Sequence, residues 1–313
     1  MNPKNKSIAS SALFLSLGAA LVVGACRPGD IAGNAAGGFL GGKGGDVVRA
    51  VVATAADSYE QLATHFSPEQ EYYLGRSVAA NLIAKNGLDP DESRQQYVRK
   101  IGASIVALSS RVYMTYGGYH FAVLNGAQPN GMSGPGGFVF ITRGALDMAK
   151  SEDEVAGVLS HEIAHVSLKH GEKILRDSQE FQGGLKALGG LVRIAGAASG
   201  GGRWASQVAN LFKESVDGLA TRLSAHAYGK EYEFKADQEG TLILYDVGYD
   251  AASISEFVVR LPASATGDRT THAEPIERQQ ALAEVVRQYG GPFDGSVGKN
   301  ARLVRFQGLP GKP

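Results

Sequence analysis

The sequence predicts an α+β fold, mostly helical, with a small β-sheet beside one buried helix. Three observations predict it. Capped apolar stretches recur with helical 3–4 residue spacing along most of the chain. Two short β-rich runs flank a Gly/Pro/Asn loop. The stretch "SEDEVAGVLSHEIAHVSLKHGEK", residues 151–173, reads as a core helix that nevertheless carries three histidines and several carboxylates.

The chain opens on a targeting segment. Lys4 and Lys6 form a positive region, and Ala12 to Ala25 is apolar. It ends "VVGAC", which resembles a bacterial lipobox, with Cys26 as the acylated residue after cleavage. Cys26 is the only cysteine, so there is no disulfide framework. The alternative is a plain signal peptide or membrane anchor with an incidental cysteine. Residue 27 is Arg and not Asp, which by resemblance to lipoprotein sorting in Gram-negative bacteria implies the outer membrane, facing the periplasm. The expected organisation is a signal peptide over 1–25, a lipidated Gly/Ala-rich tether over 26–57, one domain over 58–290 and a tail over 291–313. No later stretch reaches the roughly 18 apolar residues of a spanning helix. Lys+Arg and Asp+Glu both count 31, so no basic footprint points to nucleic acid. No internal repeat is visible.

Ser67, Pro68 and Gln70 open a first helix whose Leu74, Val78 and Leu82 face inward, and Gly87 closes it. Tyr97, Ile101 and Ile105 mark a second helix. Residues 119–125 and 137–142 then read as strands. They form either a structural hairpin or an edge on which an extended peptide can pair. His120 in this sheet reads as a core or surface histidine, not a ligand.

Ser151 followed by Glu154 is a capping box that starts the next helix. Val155, Val158, Leu159 and Val166 give its core stripe, and Gly171 is a plausible stop. His161 and His165 sit one turn apart on one face, so two imidazoles can share one metal ion. Glu162 neighbours them and can reach a water at that metal without being a ligand. This is the H-E-x-x-H pattern of zinc hydrolases. Zinc at a catalytic site takes three protein ligands and keeps one position open. The longer pattern with a third histidine is excluded, because Leu168 and Gly171 stand where Gly and His would be needed. On a continuous helix His170 lies about 180° from His161 and points away. It reads as a structural or solvated histidine.

The third ligand is sought in "EYEFKADQEGTLILYDVGYD", residues 231–250. Glu233, Asp237, Gly240 and Leu244 share a helix face. Glu233 can supply an oxygen ligand, and Asp237 can accept the second ring N–H of a ligating histidine. Gly240 would let two helices approach closely. Residues 172–229 between the two helices form an insertion. It reads as a lid, a membrane-surface helix or a partner-docking segment, with Trp204 as a packing anchor.

H-E-x-x-H followed by E-x-x-A-D, Glu233 to Asp237, resembles the family of CaaX prenyl protease-like and HtpX-like zinc metallopeptidases. Its periplasmic, lipid-anchored branch related to BepA-type proteases is the nearest in pattern. "SPEQEYYLGRSVAANLI", "PGGFVFITRGALDMAKSEDEVAGVLSHEIAHV", "ADQEGTLILYDVGYDAASISEFVVRL" and "THAEPIERQQAL" resemble further family elements, over roughly residues 67–282. The sequence departs from the family at Asn130-Gly131-Met132-Ser133-Gly134, where Asn-Ala-Phe is usual. It departs again at His272-Ala273 and at Lys230.

The resemblance implies a gluzincin-like core and one Zn2+ per chain held by His161, His165 and Glu233, with Glu162 as general base. It implies an endopeptidase of the bacterial envelope that degrades misfolded or stalled outer-membrane proteins, in contact with the outer-membrane assembly machinery. Arg278 or His272 can stabilise the oxyanion, and His272 can alternatively cap the metal. A zinc-stabilised chaperone or assembly factor with little proteolysis, and a purely structural lipoprotein, are the competing functions.

Overall fold

The computed structural model describes residues 66–178, 182, 214, 216–223, 228–261, 275–289 and 298–312. Nearly all of these belong to one unit, Phe66–Ser178 with Ser215–Pro313.

Helix α1, Pro68–Asn86, begins with a complete capping box between Ser67 and Gln70. It buries Leu74, Val78 and Leu82, and Gly87 at φ 71° ends it. Helix α2, Glu92–Leu108, is capped by the Asp91 carboxylate, which accepts from Arg94 N. Its buried Gln95 reaches across to the sheet. The amide Nε2 donates to Val123 O and Oε1 accepts from Val123 N, both at 2.9 Å.

That sheet has strands β1 (His120–Leu124), β2 (Gly131–Gly134) and β3 (Phe138–Thr142), in the order β1-β3-β2. β1 runs parallel to β3 and β2 antiparallel to it. The two strands expected from the sequence are therefore parallel neighbours and not a hairpin. The Gly/Pro/Asn segment between them supplies the missing strand. Its sequence, Gly-Met-Ser-Gly, lacks the β-branched alternation that marks a strand, so only its pairing with β3 reveals it. The tight turn Pro135–Gly137 joins β2 to β3, with Gly136 and Gly137 at positive φ.

Thr142 caps the short helix α3, Arg143–Met148. Helix α4, Glu152–Ser167, is the axis of the fold, with every residue from Glu152 to Val166 buried. Ser151 Oγ accepts from Glu154 N as the capping box predicts. The Glu154 carboxylate, however, takes Lys150 N and Arg260 in place of the Ser151 amide. Three carboxylates at the N-terminus of α4 suit the positive end of the helix dipole. Each also meets an arginine from later in the chain: Glu152 meets Arg305, Asp153 meets Arg302 and Glu154 meets Arg260.

Helix α5, His170–Asp177, follows after a sharp break at Lys169, at φ 56°. Helix α6, Lys230–Val247, packs along α4, and α7 (Ser253–Val258) and α8 (Pro275–Gln288) pack beside the pair. Helix α9 is Lys299–Gln307. The sequence sets residues 291–313 apart as a tail; in the structure Phe306 and Leu309 lie in the same core cluster as Val155, Leu159 and Ile163 of α4. Among the described residues, no helix is long and apolar enough to cross a membrane.

Candidate active site

The helical repeat of α4 stacks His161 over His165, with their Nε2 atoms 3.1 Å apart. Glu233, in the first turn of α6, completes a triangle. Its Oε2 is 3.5 Å from His161 Nε2 and its Oε1 is 3.7 Å from His165 Nε2. All three side chains are buried. Zinc bonds of about 2.0–2.2 Å at tetrahedral angles place ligand atoms about 3.3–3.6 Å apart, so this triangle fits the ion. Glu233 Oε1 is moreover a buried acceptor with no hydrogen-bond partner among the described residues. A buried carboxylate oxygen left so is costly unless something occupies the space before it. The two helices come this close because of Gly240, where a Cβ would lie 3.0 Å from His161 N.

Behind the triangle, the other nitrogen of each histidine faces a polar group: His165 Nδ1 is hydrogen-bonded, whereas His161 Nδ1 meets a carboxylate at ion-pair distance without hydrogen-bond geometry. Asp237 Oδ1 lies 2.9 Å from His161 Nδ1. Arg278 of α8 donates twice to Asp237, Nε to Oδ2 at 2.7 Å and Nη2 to Oδ1 at 2.6 Å. Its Nη1 is 3.3 Å from Glu233 Oε2. The guanidinium fork is thus directed at the carboxylates.

His165 Nδ1 lies 2.9 Å from His170 Nδ1. His170 is fully buried and does not point away, which corrects the expectation drawn from a continuous helix. The α-helix ends at Ser167, and Lys169 takes a left-handed conformation that swings α5 back under His165. A lysine tolerates that conformation poorly, but tertiary contacts hold it. Lys169 Nζ is 3.1 Å from the buried Glu71 carboxylate of α1 and lies over the Tyr113 ring.

The charges follow from these contacts. Burial opposes a charged His161, yet the carboxylates of Asp237 and Glu233 outweigh it and raise its pKa to about 10. Burial, then the charge on His161, hold His165 well below its ordinary value. Burial and nearby Lys173 bring His170 down to about 3. Burial alone would raise Glu233, but Arg278 and His161 keep it well below the usual carboxylate range. Burial pushes Glu162 up to about 7, against the pull of His161 and Ser133.

The sequence profile of peptidase family M48 matches residues 92–286. The chain belongs to peptidase family M48. A putative beta-barrel assembly-enhancing protease of Vibrio cholerae is 25% identical over 228 residues, 71% of this chain and 45% of that protein. The beta-barrel assembly-enhancing protease of Escherichia coli K12 is 25% identical over 213 residues, 67% of this chain and 42% of that protein. The chain thus spans less than half the length of these two relatives. A protease HtpX homolog of Methylibium petroleiphilum is 26% identical over 255 residues, covering 80% of this chain and 81% of that protein. M48 enzymes are zinc-dependent metallopeptidases, and the buried His161/His165/Glu233 group could hold that metal.

Two further side chains of this M48 site escape a reading by motif. Ser133 Oγ, on β2, donates to Glu162 Oε2 at 2.7 Å. Tyr228 stacks on the His165 ring at 3.9 Å between centroids, and its hydroxyl donates to Ser133 O at 2.8 Å. Neither belongs to the metal motif. A polar residue in the Asn130–Gly134 departure was the one available signal for Ser133. His120 is exposed and stacks on Phe138, away from the metal group. His272, Cys26 and Trp204 lie outside the described residues. Of the 172–229 insertion, residues 172–178, 182, 214, 216–223 and 228–229 are described.

Proposed function

We propose that this M48 chain is a zinc endopeptidase of the bacterial cell envelope, and that one Zn2+ binds His161, His165 and Glu233. The observation that carries the reading is the buried two-histidine, one-glutamate triangle with Glu162 beside it on the same helix. Zinc held there would polarise a scissile carbonyl and would bring the pKa of an attacking water to about 7. Glu162 takes the proton as the water oxygen bonds to the carbonyl carbon, and gives it to the amine nitrogen as the C–N bond breaks. Burial raises the Glu162 carboxyl in the metal-free protein, the direction that favours its accepting a proton. Asp237 and His170 orient the two histidine rings, and Arg278 fixes Asp237.

Misfolded or stalled outer-membrane proteins are the substrates we infer. The names of the two beta-barrel assembly-enhancing relatives support this class, as does a lipobox-like Cys26. The outer-membrane assembly machinery is the corresponding partner, and the periplasmic face of the outer membrane the location. An extended peptide can add to β2, which has one strand neighbour among the described residues and lies against Glu162. Backbone pairing of that kind reads unfolded chain with little sequence preference. The Tyr228 hydroxyl already occupies the Ser133 carbonyl on this strand, so a peptide pairing there shares or displaces it.

The test is metal content and cleavage of an unfolded protein by residues 27–313, with and without chelator. Chelator-sensitive cleavage is expected. Glu162→Gln should keep zinc and lose at least about 100-fold in turnover, the scale of general acid–base catalysis. Zinc bound without turnover in the wild type would favour a chaperone and sink the peptidase reading.

A further inference from the structure

Glu162 is wedged against β2 in a way that neither the metal motif nor the metal requires. Ser133 and Gly131 are two apart on the strand, so both face α4. Ser133, 1% exposed, gives its hydroxyl hydrogen to Glu162 Oε2 at 2.7 Å. Gly131 leaves the space that the other oxygen uses: a Cβ there would lie 2.6 Å from Oε1 and 3.0 Å from Cγ. Gly131 is not at positive φ, so the backbone does not ask for glycine. The carboxylate does. The register Gly131↔Ile141 and Ser133↔Val139 with β3 fixes both residues at this height along α4.

We infer that Ser133 and Gly131 act together as a positioning pair for Glu162. The hydroxyl pins Oε2, and the absent side chain leaves Oε1 the space it occupies, free to take the proton. Each half has meaning only with the other. Without the hydroxyl the carboxylate can rotate away, and with a methyl at 131 it cannot occupy the pinned position at all. This inference rests on the peptidase reading above.

Activity and stability test it separately. Ser133→Ala should lower kcat about 10–100-fold, as expected for a displaced catalytic group, with KM and zinc content unchanged. Gly131→Ala should do the same in the wild type. In the Ser133→Ala background it should cost less than about threefold, because the untethered carboxylate has already left the space. Losses that multiply independently would overturn the pairing. The second readout needs no turnover. In zinc-free protein Ser133→Ala should lower Tm by about 3–8 °C, the scale of leaving one buried hydrogen-bond partner unsatisfied in a domain of this size. In a Glu162→Ala background the shift should vanish. An equal shift in both backgrounds would show that Ser133 does not act through Glu162. A wild type without chelator-sensitive turnover defeats the peptidase reading and this inference together. An active wild type with independent losses defeats the inference alone. Should Gly131→Ala fail to fold, the Ser133 and Glu162 melting comparison still decides.

Discussion

Zinc binding should expel one proton from His161. Without metal, His161 has a carboxylate at each nitrogen, Asp237 at 2.9 Å from Nδ1 and Glu233 at 3.5 Å from Nε2. Its pKa of about 10 means that the imidazolium persists far above neutrality. His165 is neutral and Glu233 ionised under the same conditions. Zinc held by Nε2 would therefore replace the proton there, leaving the Nδ1 proton facing the Asp237 carboxylate. At pH 6 that proton is held with about four pH units in hand, each worth about 1.4 kcal/mol, so its removal costs roughly 5 kcal/mol. The sign follows: a raised pKa in the metal-free state makes zinc affinity rise with pH, about tenfold per unit until His161 itself titrates.

The cleanest measurement uses Glu162→Gln, which removes the other nearby group that titrates near neutrality, at about 7. Between pH 5.5 and 6.5 a water at the metal keeps its protons, since zinc brings it only to about 7. Titration calorimetry in two buffers of different ionisation enthalpy then counts the protons released. We expect about one per zinc, and an apparent affinity that climbs about tenfold across that window. A count near zero, or a flat affinity, would refute the bridging arrangement of His161 between Asp237 and Glu233.

Three further outcomes are expected. Arg278→Met should destabilise the zinc-free protein by about 3–5 kcal/mol, because it strands the buried Asp237 and Glu233 carboxylates. Thermal melts should show a loss of about 6–20 °C, and a loss under about 3 °C would contradict it. His170→Phe keeps a ring against Tyr232 but removes the nitrogen facing His165. Competition with a chromophoric chelator should show zinc affinity lower by about 10–100-fold, and wild-type affinity would make His170 a packing residue. Cys26→Ser should abolish lipid labelling and release or stall the chain; unchanged labelling would dispose of the lipobox.

The sequence by itself determined whatever depends on neighbours within a few residues. Caps at Ser67 and Ser151 place α1 and α4, and the apolar spacing of Tyr97, Ile101 and Ile105 places α2, whose Asp91 cap the structure adds. The four-residue step fixes that His161 and His165 share a face, and steps of four and three in α6 align Glu233, Asp237 and Gly240. These are properties of a helix wherever it packs. The tertiary structure decided the rest. Only pairing with β3 turns Gly131–Gly134 into a strand, and only the tertiary structure makes β1 the parallel partner of β3, because strand pairing is chosen by distant segments. Only tertiary contacts of Lys169, with Glu71 98 residues away and over the Tyr113 ring, stabilise the break that brings His170 under His165. Likewise only that register sets Ser133 and Gly131 against Glu162, across 29 residues of chain in the case of Ser133. A buried polar contact needs both partners fixed at once, and no periodicity in either segment records the other.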